Sequence, residues 1–178
     1  MFLDILVANP VVQSLSRAIL DDVLFEEACD AMVEVFRTYD NVERDYIVAQ
    51  QFAPQVLQLH DRFRQAADEM DSTVCTGLCR VFTEMAESYA EIIITHNQGQ
   101  FIALLLSCMA YSDEEVADIT FNFWFQYTKR LGKMSQVQIE QHKVYLVKLT
   151  SSCIHTLQFP EEFQDLPEDQ QQDFVSDV

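Results

Sequence analysis

The sequence predicts an all-α chain whose helices pair antiparallel and stack side by side in an open row. Three observations lead there. Apolar residues make up 49% of 178 residues, enough for a real core. Yet Gly numbers only 3 and Pro only 4, and sandwiches, barrels and phosphate-binding loops all consume glycine at turns. Apolar residues recur at helical spacing almost throughout, and the strongest helices are apolar on more than one side. A closed bundle needs one apolar stripe per helix, whereas a helix sandwiched in a row needs two.

Taken in order, residues 1–20 open weakly, with a break at Asn9-Pro10. Asp21-Asp22 can cap a helix running to about Tyr39, with Phe25, Ala28, Cys29, Met32, Val35, Phe36 and Tyr39 along its apolar stripe. Its other face carries Glu26, Glu27, Asp30, Glu34 and Arg37, and Asp40-Asn41 is the stop. A long helical segment spans 42–67, with Pro54 expected to kink or split it near Gln51–Ala53. Asp71-Ser72 caps the clearest helix, 73–94. One of its stripes is Val74, Leu78, Val81, Phe82, Met85, Tyr89 and Ile92. A second is Cys75, Cys79, Ala86, Ala90 and Ile94. Arg80, Glu84, Glu87 and Glu91 are left on a narrow polar strip.

Asn97-Gln98-Gly99 predicts a turn and residues 100–110 a shorter helix. Ser112-Asp113-Glu114-Glu115 reads as a capping box opening a heavily aromatic helix that runs to Leu131, with Gly132 closing it in the C′ manner. Ser135 opens a last long helix to about Leu157. The chain therefore divides into residues 1–157, about three and a half helix pairs, and an acidic linker, 158–178, leading to a further repeat. First helices centre near 57, 104 and 146, and second helices near 30, 82 and 122. Those spacings of about 40–50 are close to the period of a HEAT or armadillo array.

Charge narrows the function. Lys+Arg is 11 against 29 Asp+Glu, a formal net charge of −18. Residues 21–50 carry nine acids and two bases, and residues 158–178 seven acids and no base. Such a surface repels phosphate backbones and anionic lipid, so neither nucleic acid nor membrane is an expected partner. It attracts basic protein segments, although acid also simply keeps an apolar helical protein soluble. No basic leader or spanning stretch is evident, and five cysteines in a helical chain fit free thiols in a reducing compartment.

No constellation points to catalysis. Cys75 and Cys79 face one side of a helix, but no second pair or neighbouring His completes a metal or redox site. They read as small residues at a packed seam. His60, His96, His142 and His155 show no ligand spacing and read as satisfied surface or boundary histidines. The run Phe121-Asn122-Phe123-Trp124-Phe125 lacks the Lys and Arg that frame a base-stacking platform, so it reads as core. Asn122 within it needs either a hydrogen-bond partner or an exposed position. The acidic faces Glu27-Asp30-Glu34 and Asp113-Glu114-Glu115-Asp118 could hold a basic partner or be solvated.

Two segments resemble a known family. Val74-Cys75-Thr76-Gly77-Leu78-Cys79-Arg80-Val81-Phe82-Thr83-Glu84 is similar to a helix of the transportin-SR branch of the importin-β (karyopherin) superfamily. So is Glu115-Val116-Ala117-Asp118-Ile119-Thr120-Phe121-Asn122-Phe123-Trp124-Phe125, with Leu104-Leu105-Leu106-Ser107-Cys108 placed just before it. The acidic stretch ending in Phe174-Val175-Ser176-Asp177 resembles the start of a further repeat helix.

The resemblance implies a right-handed superhelical HEAT solenoid, an internal piece of a longer nuclear import receptor, with no enzymatic activity and no cofactor. It implies protein cargo with a basic or Arg/Ser-rich signal, release by Ran-GTP acting on the full receptor, contact with nucleoporins, and shuttling between cytoplasm and nucleus. In that family the second helix of each pair lines the concave wall. On that basis Glu27, Asp30, Glu34, Glu84, Glu87, Asp113, Glu114 and Asp118 are the expected partner contacts. Two alternatives stand beside it: a generic α-solenoid scaffold, and a helical enzyme or metal protein using Cys75, Cys79 and a His.

Overall fold

The structure, a computed structural model, describes residues 11–38, 52–95 and 99–156. Every regular element among them is helical: α1 (Val11–Ala18), α2 (Phe25–Thr38), α3 (His60–Asp68), α4 (Ser72–Ser88), α5 (Ala90–Thr95), α6 (Gly99–Met109), α7 (Glu114–Asp118), α8 (Phe121–Leu131) and α9 (Gln136–Thr156). A further helical stretch, 52–57, precedes α3. None of these helices is long and apolar enough to cross a membrane.

The helices form the expected row, an all-α solenoid. α4 packs on α2 to one side and α8 to the other, and also meets α3, α6 and α7. α1 extends the row through α2, and α9 extends it through α6. The two-sided apolar pattern of α4 is the cause. Cys75, Leu78, Cys79, Val81, Phe82, Met85 and Ala86 are all buried, more than one stripe can supply.

The tightest approach is between α2 and α4, at Gly77. A Cβ there would lie 2.7 Å from the Phe25 ring. The missing side chain is the seat for that ring, which the Arg62 guanidinium covers from 5.0 Å. Arg62 is in turn fixed by Asp22 at 2.9 Å.

Caps explain most boundaries. The Asp71 carboxylate accepts the Val74 N–H at 3.1 Å, as the sequence predicts. The α3–α4 link is a Schellman turn: the Asp71 N–H donates to the Ala66 carbonyl, and the Met70 N–H to that of Ala67. Met70 takes the left-handed conformation there (φ 57°) without being glycine. Ser135 and Gln138 form a reciprocal capping box at the start of α9.

Several expectations are corrected. The helix predicted over 73–94 breaks at Tyr89 (φ −115°, ψ 27°). That turn buries the Tyr89 ring edge-on against Phe36 and lets Ile92, Ile93 and Ile94 all face the interior. The helix predicted over 113–131 breaks at Ile119–Thr120. Fully buried Thr120 donates its hydroxyl to the Ala117 carbonyl at 2.7 Å and accepts from Trp124 Nε1 at 3.1 Å. Such back-bonding bends a helix. The cap ahead of α7 is Asp113, accepting from the Glu115 N–H, and not Ser112. Gly132 is helical in conformation (φ −61°), so it closes α8 without the left-handed turn. The segment containing Pro54 splits at 58–59, after the proline. The stops predicted at Asn9-Pro10 and Asp40-Asn41, the Asn97-Gln98 part of the turn before α6, and the linker 158–178 lie outside the described residues.

Candidate binding groove

The acidic side chains of α2 and α4 sort into two groups along the helices. At the N-terminal ends of α2, α4 and α7 a shallow cleft of about 380 Å³ is lined by Glu26, Asp30, Thr73, Arg80, Asp113 and Glu115, among others. A second cleft of about 390 Å³ shares Phe25, Glu26 and Thr73 with it and adds Asp22, Glu27 and Asp71. The two form one groove with acid on both walls. The helix geometry makes it so. Glu26 and Glu27 occupy the first turn of α2, and Glu114 and Glu115 that of α7, where negative charge offsets the positive end of the helix dipole. Stacked parallel helices gather those ends at one edge.

Farther along, the polar strip of α4 and α5 is engaged across both neighbours. Asp30 pairs with Arg80 at 2.9 Å, and Arg37 bridges Glu84 at 2.9 Å and Glu34 at 3.3 Å. Glu87 accepts from Asn122 Nδ2 at 2.6 Å, and Glu91 pairs with Arg130 of α8. Burial raises the Glu87 carboxyl above its ordinary range, and the Asn122 bond opposes that. Asn122, the odd residue of the aromatic run, is thus an exposed donor stitching α8 to α4.

The eight expected contact residues therefore do not form one patch. Glu27, Asp30 and Asp113 lie in the groove, with Asp113 also capping α7 and accepting from the Ser72 hydroxyl. Glu34, Glu84 and Glu87 lie along the bridged strip. Glu114 lines a separate cleft with Tyr111, Ser151 and His155, and Asp118 is exposed on α7. Sequence reasoning passed over Glu26, Glu115 and Asp22. Their signal was available, since each occupies or precedes the first turn of a helix of the concave layer.

The thiols sit in the core. Cys75, Cys79 and Cys108 are fully buried, and Cys79 donates to the Val116 carbonyl at 3.4 Å, tying α4 to α7. Burial pushes the Cys29 thiol up to about 12 and raises Cys75 and Cys108 as well, which suppresses the reactive thiolate. Among the described residues, no group of three or more His, Cys, Asp or Glu is placed to hold a metal ion.

His142 is a correction. It is buried at 2% exposure and is no surface residue. Its ring bonds to the Ile94 backbone carbonyl, which leaves Nδ1 to accept the Tyr127 hydroxyl at 2.9 Å. α5, α8 and α9 are clamped at that point. Burial lowers the His142 pKa below 6.5. The aromatic run is also only partly core. Phe123, Trp124 and Tyr127 are buried, but Phe121 and Phe125 are exposed, with Lys129 lying 5.7 Å over the Phe125 ring.

Residues 70–156 match the family described as the Transportin-3/Importin-13 second TPR domain. The chain is 24% identical to Transportin MOS14 of Arabidopsis thaliana, over 91% of this chain and 19% of that protein. It is 27% identical to the mRNA transport regulator MTR10 of Saccharomyces cerevisiae, over 85% of this chain and 17% of that protein. It is 24% identical to Importin-13 of Bos taurus, over 84% and 17% respectively. The chain spans less than a fifth of the length of these relatives.

Proposed function

Because the chain belongs to the importin-β family of nuclear import receptors, in its transportin-3/importin-13 branch, we propose that it serves nuclear protein import as a receptor segment. In this reading it carries protein cargo with a basic or Arg/Ser-rich signal. It answers to Ran-GTP and meets nucleoporins within a whole receptor that shuttles between cytoplasm and nucleus. It performs no chemistry. Its work is reversible recognition.

The observation that supports this is the acidic groove at the aligned N-terminal ends of α2, α4 and α7. A wall of carboxylates over an apolar core attracts and steers basic segments. Asp30 and Asp113, with Glu26 and Glu115, are the primary contacts, and Glu27, Glu114 and Asp118 flank them. Glu34, Glu84 and Glu87 can engage cargo by exchanging their present partners Arg37 and Asn122, an exchange of like for like that costs little at an exposed site.

The test is binding of a fluorescent Arg-Ser repeat peptide to the whole chain. Glu26→Lys with Glu115→Lys should weaken it at least tenfold, and raised salt should weaken it further. Unchanged affinity in the double variant removes the groove from the reading. A second reading, a solenoid scaffold without a transport role, draws on one observation: caps and cross-helix pairs already account for much of the acid. Preference for Ran-GTP over Ran-GDP in a pull-down separates the two, since a scaffold is indifferent to the nucleotide.

A further inference from the structure

α9 differs from every other long helix described. Its inner side packs on α6, with His142 and Leu149 buried and Tyr145, Leu146 and Cys153 half-buried. Its outer side is also apolar. Val137, Val144, Val147 and Ile154 form a row along it and are 73%, 54%, 63% and 56% exposed. Spacings of seven, three and seven residues keep them on one face over almost the whole helix. A row this long on a monomer's surface is the mark of an interaction site.

The charge around the row is opposite to that of the molecule. Residues 129–148 hold Lys129, Arg130, Lys133, Lys143 and Lys148 against one acid, Glu140, in a chain of net −18. Arg130 is engaged by Glu91 and Lys143 by Glu140, yet the band stays positive. Directly after α9 the sequence turns the other way. Residues 158–178 carry seven acids and no base, interleaved with Phe159, Phe163, Leu166, Phe174 and Val175. Charge and apolarity are matched, sign for sign, between a helix face and the segment that follows it.

Reach permits the match. α9, at 21 residues, is about 31 Å long at ~1.5 Å per residue. The chain beyond Thr156 spans roughly 70 Å at ~3.3 Å per residue. It can therefore turn at Pro160 and run back along the whole helix. Tethering supplies an effective concentration of about a millimolar, above what a separate partner reaches in dilute solution.

We propose that the acidic segment 158–178 folds back on α9, laying Phe163, Leu166 and Phe174 on the Val137–Val144–Val147–Ile154 row and its carboxylates on Lys143 and Lys148. The segment thereby closes the C-terminal side of the described array. This inference concerns the segment's place in the fold and does not depend on a transport role.

Hydrogen–deuterium exchange and dye binding on the full chain test it. Both substitutions, Phe163→Ser and Phe174→Ser, lie outside the described helices, so they leave the core intact. Together they should raise exchange in the outer amides of α9 severalfold and raise binding of an apolar dye by a similar factor. Lys143→Glu with Lys148→Glu should do the same at low salt. Unchanged exchange and dye binding in both variants would overturn the proposal. So would concentration-dependent dimerisation of the unmodified chain that Val144→Ser with Val147→Ser abolishes, since a second copy would then occupy the row.

Discussion

α4 and α9 are both long helices, apolar on two sides, and their fates differ. α4 is flanked on each side, by α2 and by α8, and its polar strip bridges to both. α9 is packed on its inner side alone and shows its second stripe to solvent. The same kind of sequence pattern therefore yields a sealed interior helix in one place and an open face in the other. What decides is position in the row, since apolar area stabilises only when a neighbour removes it from water. In a stacked array, stability is held at the junctions between repeats and falls toward the ends.

Substitutions that sharpen this contrast differ in size. Phe82 is fully buried in α4 against Phe63. Phe82→Ala should cost about 3–5 kcal/mol in chemical denaturation, the range for deleting a core aromatic. A loss below 1 kcal/mol would mean that α4 is not the centre of the array. Gly77→Ala should come next. Its Cβ meets the Phe25 ring, which Arg62 pins from the other side, so the crossing must open, at about 1–3 kcal/mol. A stabilised Gly77→Ala protein would show that the α2–α4 contact is looser than described.

The clamp on α9 gives a prediction in two parts. Tyr127→Phe strands His142 Nδ1 and should cost about 1–3 kcal/mol. It should also loosen α9 before the rest of the array, as seen by hydrogen exchange. The second part is pH dependence. His142 and His60 are both shifted below 6.5 by burial, so the unfolded chain binds more protons than the folded one below that pH. Their contribution is intact above pH 6.5 and is lost as the pH falls toward their folded values. Glu87, raised from 4.5, works in the opposite direction at lower pH. The melting temperature should therefore drop between pH 7 and 6, and His142→Asn should flatten that slope. A flat slope in the unmodified protein would place His142 in water.

The smallest effect belongs to the bridged strip. Arg37→Ala removes pairs whose arginine side chain is 55% exposed, and about 0.2–1 kcal/mol is the expected cost. Measured by denaturation in 0.5 M salt, it should shrink further. A larger, salt-resistant loss would make the strip a structural element and weaken its candidacy for exchange with cargo.

The helices were legible where residue patterns act locally. Asp71 caps α4, Ser135 opens α9 and the two-sided stripes of α4 imply the row, because caps and periodicity depend on neighbours within a turn or two. The breaks at Tyr89 and Thr120 were not legible. Nothing local interrupts either helix, and each break exists because a distant ring or a buried hydroxyl rewards it. The site was half legible for the same reason. Acids could be placed on a layer of helices, but which carboxylates would find Arg37, Arg80, Arg130 or Asn122 depends on how helices lie against one another.

By itself, then, the sequence determined the helical class, the open stacking and the acidic character of one edge, all of which follow from periodicity, glycine scarcity and charge count. Only the tertiary structure decided where those helices bend, which acids remain available in the groove, and that α9 keeps an uncovered face. Those are outcomes of contact between residues far apart in the chain, and contact at a distance is what a linear pattern does not encode.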